Sequence, residues 1–396
     1  VKGLDFIGLL TGVETSGMGY EMTSSHTRGG FMRFDRKELG IAVIGAGRIG
    51  THRSRLAVQH PAVRFLAISD LDPKRAGALG KRVGAQVTSG SNEEIIAHPD
   101  VNAVIISTSE FAHVEPILQA LELSKPVLVE KPIAMSLEDA DRVLSAVEKS
   151  NGDLRVGYIM RYKRQYFLGK EQIDEGRLGT LVGATGRVFN SRAQALEILK
   201  RSADATPVLD VLTYYVDMMC WFMKGNRPVE VICRGHGIVF KEAGYPNADD
   251  LSWAIITFED GAVVNLGICY SLPAKYPTAG QSVRLEIIGT EGVLMFDEDH
   301  KENIFYTEKG YPHAYVPDHS LPMVFLGSTS SGDWALDNMY GPIGDETRGW
   351  LDYLSTGRPC HLATAEEARQ TLEVTIAMEE SARTGEVVKL PLGEGH

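Results

Sequence analysis

The chain has 396 residues, of which 43% are hydrophobic and 23% are charged, a composition typical of a globular protein large enough for two domains. Its formal net charge of −12 disfavours a nucleic acid or an anionic membrane as partner, because a polyanion would be repelled at long range. A small-molecule ligand is therefore the better expectation.

The cysteine pattern and the chain's start bear on metals and location. The four cysteines form no CxxC pair, so neither a disulfide framework nor a metal site is predicted. No apolar run approaches the roughly 20 residues that span a bilayer, and no signal-peptide pattern opens the chain. These features predict a cytoplasmic protein without a membrane partner. Residues 1–37, rich in Gly, Ser and Thr at their start, are interpreted as a leader or extension.

Between residue 38 and about residue 160, short β-branched runs alternate with amphipathic stretches, as in a doubly wound, Rossmann-type parallel sheet. We assign a NAD-binding domain to residues 38–160. The predicted strands are Ile41–Ile44, Val63–Ser69, Ala103–Ser107, Pro126–Val129 and Leu154–Tyr158. The predicted helices carry apolar residues at three- and four-residue spacing, and they are Gly50–Gln59, Pro73–Val83, Ala112–Leu121 and Ser136–Glu148.

After residue 160 the pattern changes to many strands with few helices, which predicts an α+β domain with a large, mainly antiparallel open sheet. We assign residues 161–391 to this substrate-binding and oligomerisation domain. It opens with a predicted helix near Gly169–Glu175, and two predicted helices near Glu346–Ser355 and Ala365–Arg383 pack back at its end. The predicted strands are Val182–Phe189, Glu230–Cys233, Leu251–Phe258, Ala262–Ile268, Val283–Gly289 and Gly292–Phe296, the last two pairs being joined by short turns.

The first predicted strand runs directly into a GxGxxG motif. Gly45 permits a tight turn, Gly47 lets the backbone approach a pyrophosphate, and Gly50 permits close packing of the next helix. The N–H groups at that helix's start, where Arg48 and Ile49 stand, favour a phosphate. The motif predicts a dinucleotide site; the alternative is a glycine turn in an α/β protein that binds no phosphate.

Asp70 follows the second predicted strand, twenty residues beyond the motif. A carboxylate there accepts hydrogen bonds from an adenosine ribose and repels a 2′-phosphate. The cofactor prediction is therefore NAD rather than NADP, although the nearby Arg75 keeps NADP as an alternative.

The fourth strand ends in Glu130-Lys131-Pro132. Together with the glycine motif, this tripeptide resembles the signature of the glucose-fructose oxidoreductase/inositol dehydrogenase (Gfo/Idh/MocA) family. The resemblance runs from about residue 40 to 391. It is also carried by Ile106-Ser107-Thr108 with His113, by the stretch from Gly157 to Tyr162, by the hairpin from Leu285 to Gly292, and by the helix end from Ser381 to Gly385.

The resemblance implies site residues on both domains. Ser107, Thr108, His113, Glu130 and Lys131 would line the cofactor, although Glu110 stands where asparagine is common. The remaining catalytic groups would come from a helix with the pattern Asp-x-x-x-His, which this chain matches at Asp210 but replaces by tyrosine at Tyr214. The phenol can still donate or accept a proton, and i and i+4 share a helix face. The alternative is that Tyr214 is only a packed aromatic residue.

Substrate contacts are expected from Tyr158, Arg161 and Arg192 together with Asp210 and Tyr214. Arginine forks suit carboxylates and phosphates, so an anionic substrate is one interpretation and a solvated basic face is the other. The basic residues concerned are Arg161, Arg164, Arg192, Lys200 and Arg201.

The predicted function is a NAD-dependent dehydrogenase that takes hydride from a secondary alcohol of a sugar, sugar acid or cyclic polyol. Two alternatives remain open: a glycosidase that oxidises its sugar transiently and recycles NAD, and a non-catalytic NAD-binding sensor. The resemblance also implies that the open sheet pairs subunits into a homodimer or homotetramer.

Overall fold

The structure is a computed structural model that describes residues 36–201, 206–246, 248–299, 304–313, 316, 318–325 and 332–393. The predicted leader up to residue 35 lies outside the described residues. Within the described part, no helix is both long enough and apolar enough to cross a membrane.

The N-terminal part of the described chain alternates strands and helices as predicted, with one further strand, Val87–Ser89, and one further helix, Asn92–Ala97. The 3₁₀ turn Glu110–Ala112 delays the start of the predicted helix at Ala112 to Val114. The elements are β1 (Leu39–Ile44), α1 (Arg48–Gln59), β2 (Val63–Ser69), α2 (Pro73–Val83), β3 (Val87–Ser89), α3 (Asn92–Ala97), β4 (Ala103–Ile106), α4 (Val114–Glu122), β5 (Val127–Glu130), α5 (Leu137–Ser150) and β6 (Leu154–Gly157).

These six strands are parallel and lie in the order β6-β5-β4-β1-β2-β3, which is the strand order of a dinucleotide-binding fold. Both faces are covered, as a parallel sheet requires. Ile41 and Val43 of β1 pack into one buried cluster, and their neighbours Ala42 and Ile44 pack into another on the opposite face. The order reverses between β1 and β4, which creates a crevice at the carboxyl ends of those strands.

The second half begins with the 3₁₀ turn Ile159–Tyr162 and then builds a second sheet. Its first helix starts earlier than predicted, at Arg164. The elements are α6 (Arg164–Asp174), β7 (Leu181–Ser191), α7 (Arg192–Arg201), α8 (Thr213–Phe222), β8 (Pro228–His236), α9 (Val239–Glu242), β9 (Leu251–Phe258), β10 (Val263–Leu272), β11 (Ser282–Gly289), β12 (Val293–Asp297), β13 (Ile304–Pro312), β14 (Ser320–Phe325), β15 (Asp333–Ala335), β16 (Asn338–Tyr340), α10 (Pro342–Thr356), β17 (Ala363–Thr364), α11 (Ala365–Thr384) and β18 (Val388–Lys389).

The second sheet has the order β12-β11-β7-β10-β9-β8-β18. The turns predicted after Phe258 and Gly289 form antiparallel hairpins. Among the strand pairs that the structure describes in this sheet, only β7–β10 is parallel. The mainly antiparallel sheet is thus confirmed. Along β9 burial alternates, so that Ala254 and Ile256 face the core while Trp253 and Ile255 face outward.

The two C-terminal helices connect the sheets. α10 packs against α1, and α11 packs against α5, α8 and β8. β17 extends the first sheet by pairing antiparallel with β6. The β13–β14 and β15–β16 hairpins were not predicted from the sequence. The crevice of the first sheet, α8 and the inner face of the second sheet therefore belong to one packed unit.

Candidate active site

The glycine turn has the geometry that close backbone approach requires. Gly45 has a φ of +98°, and a Cβ there would lie 2.6 Å from the carbonyl oxygen of Ser107. A Cβ on Gly50 would lie 1.9 Å from the Gly45 carbonyl oxygen. At Gly47 an added Cβ would meet only the side chain of Arg75, at 3.5 Å. The turn is closed on its protein side and open where a pyrophosphate would lie.

The start of α1 fits a phosphate group as well. Gly47 is the N-cap residue and provides no side-chain cap, so the first N–H groups of α1 receive no side-chain acceptor from it. Arg48 is exposed at this end, and Ile49 packs against the core. The residues present therefore fit the diphosphate of a dinucleotide.

Asp70 lies beside the same turn. One carboxylate oxygen accepts a hydrogen bond from the Ala46 N–H over 2.8 Å, and the other accepts one from the Asp72 N–H over 3.0 Å. The Arg75 guanidinium is 3.7 Å away. These bonds fix a carboxylate at the end of β2, where the ribose of NAD would be recognised.

Three residues predicted to line the cofactor contact the protein backbone around the site. Ser107 is buried against Gly45, and Thr108 Oγ1 donates to the Ala112 carbonyl over 3.2 Å. His113 is fully buried, and its Nδ1 lies 2.8 Å from the Pro132 carbonyl oxygen. Burial lowers the pKa of His113, which keeps the ring neutral. His113 thereby fixes the segment that follows Lys131.

Lys131 follows β5 and reaches into the crevice toward the second domain. Its Nζ donates to the Asp210 carbonyl oxygen over 2.6 Å and lies 3.7 Å from the Asp210 carboxylate. The same Nζ is 5.0 Å from the centroid of the Tyr214 ring. Lys131 therefore lies beside two residues that follow it by about 80 positions in the sequence. The Lys131 and Asp210 side chains remain 12% and 15% exposed there.

Asp210 does not lie on a regular α-helix. Val208–Leu212 forms a π-helical turn that continues into α8, whose second residue is Tyr214. π-Helical turns occur frequently at functional sites. Thr206 holds the start of this turn, because its Oγ1 accepts from the Leu209 N–H over 3.1 Å and donates to Glu379 of α11.

Tyr270 is a site residue that the sequence reasoning missed. It is buried on β10, and its hydroxyl donates to Asp210 Oδ2 over 2.8 Å. No local motif marks this tyrosine. Only the pairing of β10 within the second sheet brings it to Asp210.

Two of the expected substrate contacts occupy other positions. Tyr158 is buried behind Tyr214, with its ring edge-on at a centroid distance of 6.1 Å. Burial raises the pKa of Tyr158, so its phenol stays protonated. Arg161 is also buried, and its guanidinium bonds Asp217 over 2.8 and 2.6 Å and Glu367 over 2.7 Å. Because both Tyr158 and Arg161 are buried against other protein groups, the proposed substrate site does not include them.

The remaining basic candidates are spread over the surface. Arg192 is exposed and donates to the Ser271 carbonyl oxygen over 2.9 Å, next to Tyr270. Arg164 is exposed, Lys200 pairs with Glu197, and the side chain of Arg201 lies outside the described part. Within the described residues, no group of three or more His, Cys, Asp or Glu side chains is arranged to hold a metal ion.

Comparison with known proteins identifies related chains. Scyllo-inositol 2-dehydrogenase (NAD(+)) of Bacillus subtilis is 27% identical over 285 residues, covering 71% of this chain and 80% of that protein. The 2,7-anhydro-N-acetylneuraminate hydratase of Mediterraneibacter gnavus is 23% identical over 327 residues, covering 80% and 82%. The solved structure of Lactobacillus casei scyllo-inositol dehydrogenase with NAD(H) and scyllo-inositol superposes with a TM-score of 0.70 at 20% identity, covering 89% and 99%.

Two family profiles match consecutive parts of the chain. The oxidoreductase family with an NAD-binding Rossmann fold, Gfo/Idh/MocA, matches residues 39–158, which hold β1 to β6. The C-terminal domain of the same family matches residues 169–295, which hold β7 to β12 up to Met295. The chain therefore belongs to the Gfo/Idh/MocA family of NAD-binding oxidoreductases.

Proposed function

We propose that this protein oxidises a secondary alcohol of a cyclic polyol or sugar and uses NAD as the hydride acceptor. One observation carries the proposal: the Lys131 amine contacts Asp210 and faces the Tyr214 ring at the carboxyl end of β5. Ligands bind at that edge of an open α/β sheet. Two relatives whose alignments cover 71% and 68% of this chain are named as dehydrogenases, which supports the reaction class.

The reaction separates a carbinol C–H hydride from the hydroxyl proton. When bound, NAD supplies the hydride acceptor. The protein must take the proton, and the Lys131 amine and the Tyr214 phenol are two groups in this part of the site that can hold it. General-base help of this kind supplies about 10²–10⁴-fold in rate. We assign the proton transfer to Lys131 with Tyr214 as its partner at the same hydroxyl.

Asp210 is assigned to orientation. Its carbonyl oxygen accepts from Lys131, and its carboxylate accepts from Tyr270, so both of these donors are held by one residue. A carboxylate fixed in this way can accept hydrogen bonds from substrate hydroxyls beside the reacting carbon. A ring with several adjacent hydroxyls, such as an inositol, would satisfy it best. The family names of the relatives support this substrate class.

A redox-neutral reaction is the second candidate. A relative that covers 80% of this chain is named a hydratase, and addition of water involves no net oxidation. An enzyme of this type would oxidise a sugar transiently and return the hydride, as an NAD-recycling glycosidase would. The two candidates differ in whether reduced cofactor accumulates.

A substrate panel separates the candidates. Purified full-length protein with NAD is offered inositols, aldoses, sugar acids and glycosides, and both reduced cofactor and released aglycone are measured. Accumulation of NADH with a free polyol supports the dehydrogenase, whereas cleavage without NADH supports the recycling enzyme. Binding of NAD without turnover of any compound would instead indicate a sensor and would contradict the proposal.

We also propose that the protein acts in the cytoplasm as a homodimer or homotetramer formed through the second sheet. The outward face of that sheet leaves apolar side chains exposed, which is expected of a surface covered by a partner. Two copies of the same face can pair about a twofold axis, because such an interface uses the same surface of both subunits. The exposed apolar residues are Trp253, Ile255, Val263, Ile288, Val293 and Met295.

A further inference from the structure

A fully buried arginine lies between the glycine turn and Lys131. Arg53, on α1, is 0% exposed. Its Nε donates to Glu130 Oε1 over 2.9 Å, its Nη2 to Glu346 Oε2 over 2.5 Å, and its Nη1 to Thr347 Oγ1 over 2.6 Å. We call Arg53, Glu130, Glu346 and Thr347 the Arg53 cluster.

The local backbone leaves room for this cluster. Gly157 of β6 lies opposite Glu130 in the sheet. A Cβ on Gly157 would lie 3.2 Å from Arg53 Nη2 and 3.3 Å from Glu130 Oε2. Both distances are tighter than ordinary van der Waals contact, so a larger residue at 157 would press on the ion pair itself. Gly157, which is part of the sequence resemblance, is therefore needed because a side chain there would crowd the Arg53–Glu130 ion pair.

The charges of the Arg53 cluster depend on one another. Burial would lower the pKa of Arg53, but the Glu130 and Glu346 carboxylates raise it, so the guanidinium remains charged. Burial is the largest cause that raises the pKa of Glu346 to about 7; Glu130 and Asp217 of α8 act in the same direction, and Arg53 opposes them. One guanidinium thus compensates two carboxylates from two different elements.

The cluster joins two parts of the active site to α10. Arg53 lies on the helix that begins at the glycine turn, Glu130 immediately precedes Lys131, and Glu346 and Thr347 belong to α10. The Glu130 side chain is fixed by Arg53, so the backbone that carries Lys131 is fixed as well. A shift of about 1 Å at a reacting group is enough to reduce a rate by about 10².

We propose that Arg53 and Glu346 are positioning residues that hold Lys131 in its reactive geometry relative to the cofactor helix. The inference rests on the proposed function, since it assigns these residues to the same reaction. Neither residue is assigned to the reacting atoms: Arg53 acts through Glu130, and Glu346 acts through Arg53.

The test compares two conservative variants with matched neighbours. Arg53→Lys is paired with Arg55→Lys on the same helix, and Glu346→Gln is paired with the adjacent Asp345→Asn. Turnover, NAD affinity and the thermal unfolding midpoint are measured on the full chain. In parallel, the rate at which acetic anhydride labels Lys131 is followed by peptide mass spectrometry without substrate, which reports the position of the amine independently of activity.

We expect both cluster variants to lose about tenfold or more in kcat and to label at Lys131 at least about threefold faster, with NAD affinity within about twofold of the parent. The neighbouring controls should behave like the parent. Two outcomes overturn the proposal: labelling and turnover unchanged in both variants, or a parallel loss of NAD affinity and unfolding midpoint, which marks a merely structural role. If the parent turns over no compound, the proposed function fails while the labelling still decides the role of the cluster.

Discussion

Tyr270 donates its hydroxyl hydrogen to the Asp210 carboxylate over 2.8 Å, linking the second sheet to the π-helical turn beside Lys131. A hydrogen bond to a charged group contributes about 1.5–3 kcal/mol. Tyr270→Phe removes this donor, so the carboxylate loses one of the contacts that orient it. We expect kcat/KM to fall by about 10- to 100-fold with little change in NAD affinity. Tyr340→Phe, on an exposed strand, is the control; equal activity of the two variants would contradict this role.

The cofactor preference depends on Asp70. In Asp70→Asn the negative charge is lost, while an amide oxygen can still accept from the Ala46 N–H. Arg75, 3.7 Å from the carboxylate, would then be available to a 2′-phosphate. We expect the ratio of NAD to NADP affinity, measured by calorimetry, to fall by about tenfold or more. The exposed Asp100→Asn is the control, and an unchanged ratio in Asp70→Asn would show that another group selects the cofactor.

Glu379 links the stability of the catalytic turn to pH. Burial raises the pKa of Glu379 to about 6 although Thr206 donates to it, so the folded protein holds this proton longer than the unfolded chain. Stability from this group is therefore complete at low pH and declines as pH rises from the ordinary glutamate value through about 6.

Glu379→Gln removes this dependence, since the amide stays neutral. Urea unfolding at pH 5 and pH 8 should show the variant gaining on the order of 1 kcal/mol relative to the parent at the higher pH, with a smaller difference at the lower one. A constant difference across the range would mean that Glu379 is not the group responsible.

The sequence predicted the parts of the molecule that rest on local patterns. The glycine turn, the strand before it and Asp70 lie within one βαβ segment, and hydrophobic periodicity is enough to define such a segment. Lys131 follows a buried strand, but its role is implied by the resemblance that Glu130-Lys131-Pro132 carries together with the glycine motif. Asp210 and Tyr214 were found through their spacing in the resemblance, and the structure brings both to Lys131.

What the sequence missed depends on contacts between distant elements. An arginine at position 161 could bind an anionic substrate, but its guanidinium is instead paired with Asp217 and Glu367, which lie far along the chain. The roles of Tyr270 and Arg53 could not be predicted either, because their partners Asp210 and Glu130 are distant in sequence and no local motif marks them. The π-helical turn could not be predicted because propensity does not distinguish it from an α-helix.

The open face of the second sheet should control assembly. Ile255→Glu places a charge in the exposed apolar stripe at a side chain that is 43% exposed. Light scattering with size-exclusion chromatography should show an oligomer for the parent and a monomer for the variant. Val58→Glu changes an equally exposed position, 45%, on α1 and should leave the oligomer intact. A monomeric parent would refute the assembly.

The most direct measurement on the central claim is the turnover of Lys131→Met with the best substrate of the panel, taken together with its dissociation constant for NAD. The account predicts a fall in kcat of at least about 10² with NAD affinity nearly unchanged, because the amine serves proton transfer and not cofactor binding. Lys149→Met, at an exposed lysine on α5, should match the parent. Turnover of Lys131→Met within about twofold of the parent would contradict the account.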